Sequence, residues 1–265
     1  MIRIGVFGAN GRMGLALLEA ATIKEQTQLT GAYVRSGSSL IGVNVNQINS
    51  AADKNVCFSD ENTLESVDVL IDFTLPDGMR SHLKRAVEQS LPLVIGTTGL
   101  TADDMALLEN AAKHIPIVFA RNYSVGVNVL LNLVQTAATK FGDDLDIEIF
   151  EAHHRHKIDA PSGTALAIGE SIADAKGWNH EEVAVYDRSQ IETEKSQNEI
   201  GYSVLRGGDI VGEHTAYFAT MGERLELTHK ASSRMTFALG AIRAASWLKN
   251  KPVGLYDMQD VLDLK

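Results

Sequence analysis

Between an apolar run, Ile2–Phe7, and a helical pattern, Arg12–Thr22, stands Gly8-Ala9-Asn10-Gly11-Arg12-Met13-Gly14. A glycine-rich turn joining a strand to a helix lets the backbone approach a phosphate, and the helix start offers unpaired N–H groups and a positive dipole. The spacing is G-x-x-G-x-x-G rather than the commoner G-x-G-x-x-G, so the glycines alone also fit an ordinary tight turn. Their place at the first strand–helix junction favours nucleotide binding.

The segments that follow keep the alternation. Strands are expected at Gln28–Val34, Val67–Phe73, Leu91–Ile95 and Ile115–Phe119, with crossover helices at Gly78–Gln89 and Ala102–Lys113. Gly96-Thr97-Thr98-Gly99 and Ala120-Arg121-Asn122-Tyr123 each follow a strand. Because ligands of open α/β sheets bind beyond the strands' carboxyl ends, both clusters fall on the edge that carries Gly8.

After Tyr123 the texture changes. A helix over Val127–Lys140 and a strand over Asp146–Phe150 lead into a His-rich turn; Tyr202–Leu205, Ile210–Ala219 and Glu223–Thr228 are too closely spaced for crossover helices. They predict a second, α+β domain with a mostly antiparallel sheet. Ser189–Glu199 reads as a mobile loop, and Met235–Leu248 as a helix returning to the first domain. The expected division is a Rossmann-like domain over 1–124, completed by about 235–265, and a substrate-binding and oligomerisation domain over 125–234.

Length and charge narrow the partners. A chain of 265 residues with 45% hydrophobic content can bury a large core or two smaller ones. A formal charge of −10, with both signs interspersed, argues against nucleic acid or an anionic membrane as partner. The start Met1-Ile2-Arg3-Ile4 carries no apolar h-region and no run is long enough for a bilayer, so a cytoplasmic protein is expected. The lone Cys57 excludes an intramolecular disulfide and reads as a small buried hydrophobe.

The densest chemistry lies in Glu151–Ala165, EAHHRHKIDAPSGTA. His153, His154, His156 and Lys157 can place a proton donor and a fixed cation beside an anion. Pro161-Ser162-Gly163-Thr164 reads as a helix start, a second anion site suited to a carboxylate. Extended alternation would put His154 and His156 on one side and His153 on the other, with no cysteine cluster nearby, so no metal is expected. A metal site and a solvated basic turn remain the alternatives.

This segment resembles the signature of the dihydrodipicolinate reductases. The resemblance continues through GANGRMG at 8–14, IDFTLPDG at 71–78, VIGTTG at 94–99, NYSVGVNVLL at 122–131, GDIVGEHTAYF at 208–218 and ERLELTHKASSRMTFALGA at 223–241. It implies a homotetramer that reduces dehydrated 4-hydroxy-tetrahydrodipicolinate with NADPH or NADH on the lysine and diaminopimelate route. It also implies His153 as general acid/base, Lys157 as second proton donor or charge stabiliser, and His154, Gly163 and Thr164 as substrate-carboxylate contacts. The cofactor contacts it implies are Gly8, Ala9, Asn10, Gly11, Arg12, Met13, Arg35, Gly96, Thr97, Thr98, Ala120, Arg121, Asn122 and Tyr123, and Val34 at the end of the second strand is counted with them.

Two positions depart from the family pattern: Val34 stands where many relatives place an acid, and Leu75 where they place a base. With Val34 at the strand end, Arg35 following, and Asp53 as the next acid along the chain, NADPH is the expected preference, since an arginine pairs with a 2′-phosphate that an acid would repel. The competing readings are a two-domain oxidoreductase acting on an amino-acid semialdehyde, which would call for a cysteine or lysine-pair site in the second domain, and a dinucleotide-sensing regulator. The regulator leaves the His and Lys cluster at 153–157 unexplained.

Overall fold

The computed structural model describes every residue except Glu65 and Asp143. The chain divides into two compact units, Met1–Val125 with Arg234–Lys265, and Gly126–Ser233.

Unit 1 contains β1 (Ile2–Phe7), α1 (Arg12–Ile23), β2 (Thr27–Val34), β3 (Phe58–Asp60), β4 (Val69–Asp72), α2 (Pro76–Glu88), β5 (Leu93–Ile95), α3 (Ala102–Ala111) and β6 (Pro116–Phe119). Unit 2 follows with α4 (Val125–Lys140), β7 (Asp146–His153), α5 (Gly163–Lys176), α6 (His180–Val183), β8 (Ala184–Val185), β9 (Ile200–Arg206), β10 (Gly212–Thr220) and β11 (Glu223–Ala231). The chain then returns to unit 1 as α7 (Met235–Leu248), β12 (Gly254–Tyr256) and α8 (Met258–Leu262).

The unit 1 sheet runs β12-β6-β5-β4-β1-β2-β3 with every pair parallel. Strand alternation feeds a core on each face. Ile4 and Val6 join Leu17 and Leu18 of α1 and Ala244 and Ala245 of α7, while Phe7 joins Met79 and Leu83 of α2 and Leu108 of α3. Small alanines on α7 let it lie close to α1 and the strands. The order reverses between β1 and β4, which opens a crevice at the carboxyl ends of those two strands.

The second sheet runs β11-β10-β7-β9-β8. β10 pairs antiparallel with β11 across the short turn at Met221 and Gly222, and antiparallel with β7 on its other side. β9 differs from expectation: it lies parallel to β7, and β8 parallel to β9, so the sheet is evenly mixed. The cause is the long α5–α6 connection between β7 and β9, which acts as a crossover. Leu130 and Val134 of α4 and Ile168 and Ile172 of α5 cover the face that carries Ile147, Ile149, Ala216 and Phe218. Cys57, expected to be buried, is exposed. No helix among the described residues is long and apolar enough to cross a membrane.

Candidate active site

The turn after β1 shows why its glycines are there. Gly8 has φ +61°, a left-handed conformation that L side chains rarely adopt. A Cβ at Gly14 would lie 2.2 Å from the Gly8 carbonyl oxygen, so only glycine lets α1 start this close to the turn. Gly11, the N-cap, supplies no side-chain cap, and the first turn of α1 carries no acid. Its leading N–H groups therefore remain available for an anion.

A cavity of about 510 Å³ opens at this point, lined by Gly8, Asn10, Gly11 and Arg35 from the expected set, together with Glu61, Thr74 and His82. The other expected cofactor residues sit in different surroundings. Ala9 is buried, Met13 is half-buried against the core, and Arg12 is exposed at the helix start. The Val34 side chain is in the core, so only its backbone faces the strand end. Thr97 is buried and Thr98 exposed after Gly96, beyond β5. Beyond β6, Ala120 is buried, Arg121 exposed, and the Asn122 side chain accepts the Ser124 N–H at 2.8 Å. Tyr123 is buried and donates its hydroxyl to the Ile95 and Val118 carbonyls at 2.8 and 3.0 Å, bracing these strand ends from within.

Asp53 is not the nearest acid to the end of β2. Acids do stand beside the end of β2: β3 sets Asp60 opposite Val34, where Asp60 accepts the Ser36 hydroxyl at 2.9 Å, and the Glu61 N–H donates to the Val34 carbonyl at 3.1 Å. β3 has only three residues and follows a long irregular stretch, so no periodicity announces it.

In unit 2, β7 does not end at Phe150 but continues to His153. Residues two apart on a strand share a face, so Glu151 and His153 meet: Nδ1 of His153 lies 2.6 Å from Oε2 of Glu151. Arg206, paired in register with His153 from the end of β9, grips both Glu151 oxygens at 2.8 Å, and the Ser162 N–H adds a bond of 3.0 Å to Oε1. Burial alone would push the Glu151 carboxyl up. The His153, Arg206 and Ser162 donors outweigh it and hold the group down at about 2. Glu151 is therefore an anion at working pH, and it fixes His153 with Nδ1–H toward the acid.

That leaves Nε2 of His153 for chemistry. A Cβ at Gly212 would stand 3.0 Å from this nitrogen, so the glycine keeps its approach open. His214, opposite Glu151 on β10, sits edge-on to His153 at 5.1 Å, with Nε2 2.9 Å from the Ser162 hydroxyl. Burial first, and then the neighbouring His153, lower His214 to about 3, so it stays neutral. The same Ser162 hydroxyl caps α5 by accepting the Ala165 N–H, and Gly163 at the helix start is exposed.

Lys157 lies on the loop after β7 and pairs with Asp159 at 2.9 Å. The Arg155 N–H and the Gly207 N–H tie that loop to the turn after β9 through the carbonyls of Gly208 and His153. The rings of His154 and His156 lie 6.2 Å apart. The sequence names His153, Lys157 and the helix start as candidates but not Glu151 as an orienting acid, nor Arg206 or His214. The signal for Glu151 was its two-residue spacing from His153; none marked Arg206, 55 residues away.

Family models described as dihydrodipicolinate reductase, N-terminus, and dihydrodipicolinate reductase, C-terminus, match residues 2–123 and 126–262. The chain belongs to the dihydrodipicolinate reductase family. Among its relatives, the 4-hydroxy-tetrahydrodipicolinate reductase of Pseudoalteromonas translucida is 82% identical over 263 residues, covering 99% of this chain and 98% of the relative. That of Pseudomonas fluorescens is 55% identical over 268 residues, covering both chains fully. In fold, the chain resembles dipicolinate-bound dihydrodipicolinate reductase from Paenisporosarcina sp. TG-14, with TM-score 0.73, 24% identity and 98% of each chain covered.

Proposed function

We propose that the chain reduces the dehydrated form of 4-hydroxy-tetrahydrodipicolinate to tetrahydrodipicolinate with NADPH or NADH; that its relatives are named 4-hydroxy-tetrahydrodipicolinate reductases supports the reductase reading. The observation that carries this reading is the His153–Glu151–Arg206 assembly beside the capped start of α5. It unites a tautomer-fixed imidazole with a helix N-terminus, as proton delivery to a bound dicarboxylate requires.

When bound, the nicotinamide supplies the hydride. Gly8, Asn10, Gly11 and the N–H groups opening α1 would hold the pyrophosphate, with Arg35 at the same cavity favouring a 2′-phosphate and hence NADPH. His153 delivers a proton from Nε2 to the ring as negative charge develops there. Glu151, bonded to Nδ1, orients the imidazole so that Nε2 faces the ring. The N–H groups of Gly163 and Thr164, with His154, receive the substrate carboxylates, and Lys157 is the second proton donor or charge stabiliser.

A homotetramer is part of the proposal. The second sheet carries Phe150, Leu205 and Tyr217 on the face opposite α4 and α5, and Leu205 is 40% exposed. A soluble nucleotide pool and a composition with one cysteine support a cytoplasmic location.

Turnover tests the reading. Purified protein given freshly generated substrate should oxidise NADPH with one equivalent of tetrahydrodipicolinate formed; cofactor oxidation with an amino-acid semialdehyde instead would overturn it.

A further inference from the structure

The cavity beside Gly8 contains an acid that the reaction itself does not use. Glu61 follows β3, and its N–H bond to the Val34 carbonyl, 3.1 Å long, anchors it at the end of β2. Its side chain lines the same cavity as Gly8, Gly11 and Arg35. Arg85 of α2 donates to the Glu61 carbonyl and, at 2.7 Å, to Oδ1 of Asn62, so the backbone is fixed from two sides.

The carboxylate is held as well. Oε2 of Glu61 lies 3.1 Å from Nε2 of His82, whose Nδ1 is 2.7 Å from Oδ2 of the buried Asp72. The His82 ring stacks on Phe7, with centroids 3.8 Å apart and planes within 4°. Burial would lower the His82 pKa, but Asp72 and Glu61 outweigh it and the net direction is up, which favours the charged imidazole that grips both acids. Among the described residues, Oε1 of Glu61 receives no hydrogen bond. The neighbouring acids are otherwise engaged. Asp60 accepts from Ser36 and Asn62, and Asp77 pairs with Arg80 at 2.6 Å.

We propose that Glu61 is the residue that sustains use of NADH: its Oε1 accepts a hydrogen bond from the 2′-hydroxyl of the adenosine ribose and its charge disfavours a 2′-phosphate. Arg35 acts in the opposite sense from the same cavity. In Rossmann-type sites this acid ordinarily ends the second strand; here the second strand ends in Val34 and the acid arrives from β3. His82 is the positioning residue that aims it. The proposal rests on the dinucleotide reading of this pocket.

The test is kcat/KM for NADH and NADPH in the unmodified protein and in Glu61→Gln, with binding of each cofactor measured by calorimetry. One charge-assisted hydrogen bond sets the scale, so Glu61→Gln should shift the NADPH/NADH ratio about tenfold toward NADPH, mainly through KM. His82→Gln should shift the ratio the same way, read in the KM and the calorimetric Kd of each cofactor. Should Glu61→Gln not fold, Glu61→Asp, which draws the carboxylate back, should shift the ratio in the same direction. An unchanged ratio in a folded Glu61 variant, with both cofactors bound by the unmodified protein, would overturn the role of Glu61 alone. Absence of binding of either cofactor to the unmodified protein would overturn the dinucleotide reading and the proposal with it.

Discussion

Nδ1 of His153 and Oε2 of Glu151 stand 2.6 Å apart on one face of β7, and the acid is saturated by Arg206 and Ser162 on its other sides. The pair makes the imidazole a donor with one defined free nitrogen. Replacing Glu151 by Gln removes the anion that holds Nδ1–H of His153 and leaves Arg206 without its partner. Activity should fall by about a hundredfold or more in kcat, the scale of losing positioned proton transfer. Stability should fall by about 3–5 kcal/mol, the cost of breaking a buried ion pair. Steady-state kinetics and denaturant unfolding check both; unchanged kcat would remove Glu151 from the mechanism.

His153→Gln and Lys157→Ala should each lower kcat by about a hundredfold if proton transfer and charge stabilisation are their work. Thr164→Val, at the start of α5, should raise substrate KM with little effect on kcat. A result in which 153 and 157 move only KM would reassign both to binding.

Acid should destabilise the protein in two steps. Glu151 has a folded pKa of about 2, below its ordinary value of 4.5, so its stabilisation is complete above 4.5 and is lost as pH falls toward 2. His214 has a folded pKa of about 3 against 6.5, so the unfolded chain takes up its proton first and stability already declines below 6.5. Each group contributes a slope of at most about 1.4 kcal/mol per pH unit within its window. Melting temperatures followed from pH 7 to 4 should fall less steeply in His214→Gln than in the unmodified protein; parallel curves would contradict the buried neutral histidine.

If the uncovered face of the second sheet joins subunits, Leu205→Glu should reduce the mass measured by light scattering from a tetramer to a smaller species. An active monomer in the unmodified protein would refute the assembly.

Much of this architecture was legible because it is written in local spacing. The glycine turn, the alternation of strands and helices in residues 1–124 and the Ser162 cap are each set by neighbours within a few residues. What escaped is held by contacts across long separations. The parallel β7–β9 pairing and the Arg206–Glu151 pair depend on where a crossover deposits a strand, and a run such as Ile200–Arg206 reads the same in either direction. β3 is too short to show a period, which hid Asp60 and Glu61 and made Asp53 look like the nearest acid. Cys57 was misplaced for a related reason: it immediately precedes that short strand, and one apolar-like residue in an irregular stretch has no face to declare.

The return of α7 to unit 1 orders events in time as well as in space. Ala244, Ala245 and Leu248 complete the core beneath β1, yet they leave the ribosome only after all of Gly126–Ser233. A growing chain can therefore shape the glycine turn early, but it cannot seal the layer that supports it until the second unit has been made. Both halves of the reaction are in this way committed to a single translation product, and a chain interrupted within the second unit would carry an unfinished nucleotide unit with its apolar underside exposed to quality control.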